Sequence, residues 1–288
     1  MSRRASISDA ASLYWYTLNK NRLSLAGIVI IVVVFMAALL ASVISPYPAD
    51  AGYMTHFANA LQPPSAAHLF GTDEAGRDIF TRVIFGARTA LEAGFIIIVI
   101  AIGIGVSLGL IAGYLGGLVD TIIMRITDIF LSIPGLALAL LAAAILTPSL
   151  LSSSLAISFV WWPWYVRLVR GEVLFLREEQ FVQAAEVSGA GKFWIITREV
   201  FPNVLPAVVV KGSLDMGYAI LWTVALSYLG LGSQPPVADW GAMLAEGHLL
   251  LPNDWWLSTF PGLAIFVTVL GFNLLGDGLR DLLDVRKM

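Results

Sequence analysis

Six mostly apolar stretches, each about as long as the roughly 20 residues that cross a bilayer's hydrocarbon, limit what this chain can fold into. They run approximately from Leu23 to Ile44, Leu91 to Leu115, Ile122 to Leu146, Leu150 to Val169, Val204 to Leu229 and Ser258 to Leu275. A water-surrounded globule has no use for so many. The 13% of charged residues points the same way, because a soluble domain carries about 25%. With 58% hydrophobic residues and a mean hydropathy of +0.82, the chain reads as one dissolved in lipid. Lipid offers backbone groups no hydrogen bonds, so the segments must satisfy their own, and helices do so. The expected fold is an all-α integral membrane protein with six transmembrane helices. The first run is too long for the apolar part of a secretory signal, and Ser45-Pro46-Tyr47-Pro48 is a poor cleavage site, so it reads as the first spanning helix.

Glycine inside the second run fits the same solvent. Gly105, Gly109 and Gly113 are four apart and share one helical face. In a bilayer such a face lets a neighbouring helix approach closely, and this is preferred to a ligand-binding role.

Placement of positive charge sets the orientation expected. With the N-terminus in the cytoplasm, fourteen Lys and Arg residues fall inside or at inner helix ends, and only Arg77, Arg82 and Arg88 fall outside. By the positive-inside rule both termini are cytoplasmic. The segments from Ser45 to about Thr89 and from Leu231 to about Leu257 then face out, placing Trp255 and Trp256 at the outer interface. Both are rich in turn residues, such as Pro46, Pro48, Pro63 and Pro64, then Pro235, Pro236 and Pro252.

The longest inner loop runs from Arg177 to Pro206. Glu178 and Glu179 precede a short helical stretch in which Phe181, Ala184, Ala185 and Ser188 lie at helical spacing. Gly189 and Gly191 break it, and a second short helix, Lys192 to Val200, is expected to stop before Pro202. Small side chains would let the first helix seat in a partner's groove and pass rigid-body motion onward. An amphipathic connector resting on the headgroups fits the residues equally well.

Ionisable residues within the spans are costly, about 2.5–3.5 kcal/mol each at a helix centre on translocon scales. Lys211 and Asp215, four apart, are expected to neutralise each other and to face the pore or a partner; a pathway role and satisfied packing both remain open. Asn273 and Asp277, also four apart, with Arg280 beyond, suggest a polar clasp near the inner end of the last helix, serving as anchor or gate. Trp161, Trp162, Trp164 and Tyr165 flank Pro163 and are expected to pack rather than line a ligand box. Near Gly71-Thr72-Asp73, either Asp73 or Asp78 could cap the helix entering the second span.

Several classes of chemistry are disfavoured. There is no cysteine, hence no disulfide, thiol nucleophile or Cys-ligated metal. His56, His68 and His248 are far apart in sequence and form no metal-ligand spacing. No phosphate-cradling G-x-x-x-x-G-K-[ST] is present, since Glu186 and Phe193 stand where Gly191-Lys192 would need a glycine and a hydroxyl. The net charge of −3 gives no indication of nucleic acid.

The inner loop resembles the "EAA" loop of ABC importer permeases, with Gln183, Ala184, Ala185, Gly189, Phe201 and Pro202 in the motif's places. Gln183 stands for the usual first glutamate and Glu199 for a frequent histidine. Other stretches resemble the C-type permeases of peptide and nickel importers: His68-Leu69-Phe70-Gly71-Thr72-Asp73 with Gly76-Arg77-Asp78, Gly86-Ala87-Arg88-Thr89, Leu226-Ser227-Tyr228-Leu229-Gly230, Trp240-Gly241-Ala242-Met243-Leu244, and Phe272-Asn273 through Asp281. They follow the family's order from about residue 68 to 285.

The resemblance implies a type I ABC importer permease fold. Its parts would be a cytoplasmic segment (1–22), a first helix (23–44), an extracytoplasmic loop (45–88), a permease core (89–280) with its coupling loop (177–203), and a cytoplasmic tail (281–288). It implies a non-enzymatic subunit of a bacterial inner-membrane importer for di- or oligopeptides, with nickel or another small solute as the alternative cargo. The partners implied are a B-type permease, two cytoplasmic ATPases holding ATP and Mg²⁺, and an extracytoplasmic binding protein. This chain would hold no cofactor. The loop would be the coupling helix, and Lys211, Asp215, Asn273 and Asp277 are the candidate pathway or gate residues. A self-sufficient secondary transporter would need broken helices and coupling-ion ligands at mid-membrane, for which only Lys211 and Asp215 offer themselves.

Overall fold

A computed structural model describes residues 22–283. The expected segments 1–22 and 281–288, and the terminal charges Arg3, Arg4, Lys20, Arg286 and Lys287, lie wholly or partly outside the described residues. The rest is helical, with no strand among the described residues.

The first apolar run forms α1 (Arg22–Leu39) and a one-turn continuation, α2 (Ala41–Ile44), separated at Leu40. The second forms α3 (Ile79–Leu115), three turns longer at its outer end than apolarity alone indicated. Asp78 starts it, its carboxylate accepting the Thr81 N–H at 2.7 Å. The polar turn before the second span is therefore an N-cap, as one of the two expected aspartates.

The third run is not one helix. It is α4 (Gly117–Ser132) and α5 (Gly135–Ile145), bent by 90° at Ile133-Pro134. Proline bars its predecessor from the helical region, and Ile133 is extended at φ −95°, ψ 139°. The fourth run is α6 (Leu150–Arg177), in which Pro163 is carried without ending the helix. Next come α7 (Gln180–Val187) and the single turn α8 (Lys192–Ile195). The last elements are α9 (Phe201–Tyr228), the outer α10 (Trp240–His248) and α11 (Trp256–Leu283).

Helicity does not stop before Pro202, contrary to the sequence expectation. A π-helical turn over Ile196–Val200 joins α8 to α9, so Lys192–Tyr228 is one 37-residue helical rod. The Phe201 N–H reaches back to the Ile196 carbonyl, and the widened turn lets proline enter at the start of α9 with no donor left stranded.

Among the described residues four helices are long and apolar enough to cross a bilayer: α1, α3, the 37-residue rod and α11. The bent α4–α5 pair makes a fifth if it crosses as one broken span rather than as a re-entrant loop. The 28-residue α6 is long enough, but its serines, tryptophans and arginines make it more polar than the others. It nevertheless lies flush along α3. A Cβ on Gly109 would meet the Val169 Cβ at 2.7 Å, and one on Gly113 would meet the Val173 Cβ at 2.7 Å; Gly105 faces Tyr165. The glycine face thus packs against one neighbour, as expected. The same device seats α1 on α11, where Gly271 faces Ile30 and Gly278 faces Ser24. Buried residues of α3, α5, α6 and α9 form one core, continued by Val182, Ile195 and Val200 of the inner segment. Residues of α1, α3, α9, α10 and α11 form a second core toward the opposite end of the bundle.

Candidate functional site

The inner segment is a bracket standing on the ends of α3 and α6. Val182, Ile195 and Val200 are fully buried and fix its inner face. Ala185 packs inward beside Val182, while Phe181, Ala184 and Ser188 turn to the surface. The small-residue face expected from spacing is therefore split, one alanine inward and one outward. Gln183 is exposed and its amide donates to the Glu178 carbonyl at 3.2 Å.

Gly189 ends α7 at φ +82°, a conformation open to glycine and strained for other residues. The Ala190 N–H closes the turn on the Ala185 carbonyl at 3.1 Å, satisfying an end-of-helix acceptor. No atom lies within 4 Å of where a Cβ on Gly189 would stand, so the knuckle is open to a partner. Phe201 is half-buried against the core and Pro202 is exposed.

Two links from the bracket to the membrane helices were not read from sequence. The Tyr114 hydroxyl, at the inner end of α3, donates to the Glu186 carboxylate at 2.8 Å. Arg177 donates to the Gly113 carbonyl at 3.2 Å and lies over the Tyr114 ring at 5.8 Å. Only the tertiary fold places residue 114 beside residue 186.

Deeper between α6 and α9, the Lys211 ammonium sits 2.9 Å from the Asp215 carboxylate, so the expected pair forms. The carboxylate's other oxygen accepts the Trp161 indole N–H at 3.0 Å, and Lys211 lies over the Tyr165 ring at 5.6 Å. Asp215 is buried and Lys211 half-buried. Trp161, Trp162 and Tyr165 are core residues, as expected, whereas Trp164 is exposed. The expected clasp is not formed: no hydrogen bond or ion pair joins Asn273, Asp277 and Arg280 among the described residues. Their face of α11 leaves Asp277 and Arg280 in the open, where nothing compels them to pair.

The end of the bundle away from the bracket, outer in the expected orientation, is held by buried charge. Asp73 accepts from Arg77 at 2.7 Å and lies 3.5 Å from Arg82, which also reaches the carbonyls of Asp50 and Pro236. Asp78 pairs with His68 at 3.0 Å, Asp50 with His56 at 3.3 Å, and the Asp78 N–H donates to Asp50 at 2.9 Å. Two histidines distant in sequence thus join one network, though no group of three His, Asp or Glu residues is placed to hold a metal ion among the described residues. Trp256 is buried, its indole donating to the Thr72 carbonyl at 3.3 Å, so it pins the outer loop and only Trp255 remains exposed.

Asp239 caps α10 through the N–H groups of Gly241 and Ala242 and accepts the Ser227 hydroxyl. Burial pushes its carboxyl up, partly countered by these donors. Burial likewise pushes Glu246 up, with Arg82 and Arg77 pulling it back.

Comparison with known proteins accounts for this arrangement. Residues 105–288 match the family described as binding-protein-dependent transport system inner membrane component. Residues 11–64 match the N-terminal TM domain of oligopeptide transport permease C. The chain is 47% identical to the probable D,D-dipeptide transport system permease protein of Escherichia coli, an alignment covering 96% of this chain and 91% of that one. It is 44% identical to the dipeptide transport system permease protein of Alkalihalophilus pseudofirmus, covering 93% and 87% of the two chains. Against the dipeptide transport system permease protein of Haemophilus influenzae the identity is 40%, covering 94% and 93%. An all-helical bundle with a glycine-hinged inner bracket, matched along most of its length, belongs to the binding-protein-dependent transport system inner membrane component family of permeases.

Proposed function

We propose that this chain is one of two permease subunits of an ATP-driven importer of short peptides. Its companions are a B-type permease, two cytoplasmic ATPase subunits that hold ATP and Mg²⁺, and an extracytoplasmic binding protein. It sits in a bacterial inner membrane with both termini cytoplasmic and contributes no catalytic residue or cofactor of its own. Peptide as the cargo is supported by the named transport systems of its relatives.

The observation that carries the reading is the mechanical continuity of the inner bracket. Its outward side (Ala184, Ser188, Gly189) is bare, while its inward side is locked into the core through Val182, Ile195 and Val200. Through the π-turn it is continuous with α9, so a push on the knuckle is delivered to a membrane helix as a rigid displacement. Gln183, Ala184, Ala185, Gly189, Phe201 and Pro202 are the coupling segment. Lys211 and Asp215 join α6 to α9, so that the two helices tilt together. Asn273 and Asp277 mark the inner end of α11, free to meet a partner.

The test is peptide uptake into proteoliposomes holding the four companions and this chain. Ala184→Trp adds bulk at an exposed position of α7. Uptake should fall to background while the variant inserts and unfolds as the wild type does. Unchanged uptake overturns the coupling assignment, and uptake by the wild-type chain alone without nucleotide overturns the importer reading.

A further inference from the structure

The bent third span carries a feature that the bracket and the Lys211 pair do not use. On α4, Thr121, Arg125, Asp128 and Ser132 follow one another at i, i+4, i+7 and i+11, and all four are exposed. Both hydroxyls are turned back on their own helix, Thr121 to the Gly117 carbonyl at 2.9 Å and Ser132 to the Ile129 carbonyl at 2.7 Å. Asp128 pairs with Arg167 of α6 at 2.6 Å, and both side chains are about half exposed (50% and 52%). A second, more enclosed pair, Asp120 with Arg170, lies nearer the inner end at 2.5 and 2.7 Å. Arg125 has no hydrogen-bond or ion-pair partner among the described residues.

These charges lie at membrane depth. Arg167 falls between Tyr165 and Val169, the residues that face Gly105 and Gly109 of α3. At 1.5 Å per residue those glycines stand about 9–15 Å above the inner end of α3, within its apolar stretch. The stripe runs into the membrane alongside α6, because Phe130 meets Trp162 and Phe159 at centroid distances of 5.2 and 5.1 Å. On α6, exposed Trp164 and Leu174 share the face of Arg167, and Gly171 on that face has open space around it.

Charges at such depth do not face acyl chains. An apolar partner laid over a half-exposed ion pair would strip its water and return nothing. Water satisfies them, and within a bilayer water is found where solute passes. We infer that the stripe Thr121–Arg125–Asp128–Ser132, with Arg167, lines the aqueous translocation path, and that the Asp128–Arg167 pair screens the terminal ammonium and carboxylate of a passing peptide. The inference rests on the importer reading above. A pair already closed on itself binds a zwitterion weakly, which suits a site that must be entered and left. The 90° elbow at Ile133-Pro134 ends the stripe directly after Ser132.

Because the chain has no cysteine, it is its own background for thiol mapping. Thr121→Cys, Ser132→Cys and Val32→Cys, the last exposed on the charge-free interior of α1, are assembled into the complete importer in nanodiscs. Each is treated with a cationic methanethiosulfonate, which needs a hydrated thiolate. Thr121→Cys and Ser132→Cys should react about tenfold or more faster than Val32→Cys, and severalfold slower when peptide-loaded binding protein and ATP are added. Two outcomes overturn the inference. Rates at both positions equal to that of Val32→Cys make the stripe lipid-facing. Fast reaction in the full chain alone but slow reaction in the complex at every nucleotide state makes it a permease–permease contact. Peptide uptake by the unlabelled wild-type complex is measured in parallel, so that a failure of the importer reading is seen separately from a failure of the mapping.

Discussion

The Tyr114 hydroxyl and the Glu186 carboxylate, 72 positions apart, meet at 2.8 Å and tie the inner bracket to the long helix α3. The bracket is already continuous with α9, so this bond gives it a second hold on the bundle. Under the proposed coupling role, force arriving at α7 would be divided between two helices.

Tyr114→Phe removes the bond while keeping the buried ring and its packing under Arg177. A hydrogen bond to a charged acceptor is worth about 1.5–3 kcal/mol, and less here because Glu186 is exposed. Peptide transported per ATP hydrolysed should fall severalfold, with ATP hydrolysis itself little changed. Equal losses in both would mean that the residue merely holds the fold.

Gly105→Val drives a branched side chain into Tyr165 and the backbone of α6. Neither helix can move aside without opening the shared core, so the cost belongs with overpacking, about 1–3 kcal/mol or more. The amount of folded chain recovered from membranes should drop sharply. Gly103→Val, at a position with open space, serves as the comparison and should be recovered normally.

Lys211→Met takes the cation from the buried Asp215 carboxylate, which keeps the Trp161 indole N–H as a donor. Breaking a buried pair costs about 3–5 kcal/mol, and the partial exposure of Lys211 lowers this to about 2 kcal/mol. Its unfolding temperature in detergent should fall by several degrees. Adding Asp215→Asn removes the stranded charge and should restore most of the loss. A double variant no better than the single would show that Lys211 acts by other means.

Glu246 gives a pH dependence at the end of the bundle away from the bracket. Burial holds its carboxyl above the ordinary carboxylate range, so the folded state keeps the proton longer than the unfolded state does. Asp73 and Glu74 act in the same direction, and Arg82 and Arg77 oppose it. The contribution to stability is therefore complete below the ordinary carboxylate pKa and is lost as pH rises through the raised one. Glu246→Gln should flatten the fall in unfolding temperature of the wild type from about pH 4 to pH 8. A steeper fall in the variant would reverse the sign of the burial effect.

Sequence by itself determined the solvent and most of the helices. Continuous apolar runs are best satisfied in lipid, and four-residue glycine spacing favours a close neighbour, so the helical bundle and a tight helix contact on that face of α3 were legible, though not that α6 makes it. So were the bracket's turn at Gly189, an aspartate cap at Asp73 or Asp78, and the Lys211–Asp215 pair one helical turn apart, because each rests on local backbone geometry. The elbow at Ile133-Pro134 was visible only as a proline, since local sequence says that a helix breaks but not through what angle. Passage of the helix through Pro202 could not be foreseen, because a π-turn depends on what packs around it. Tertiary structure alone decided the meetings across distance: Tyr114 with Glu186, Trp161 with Asp215, Asp128 with Arg167, and the two outer histidines in one acidic network. Periodicity places a residue on a face of its own helix. Which other helix that face meets is settled by packing of the whole bundle.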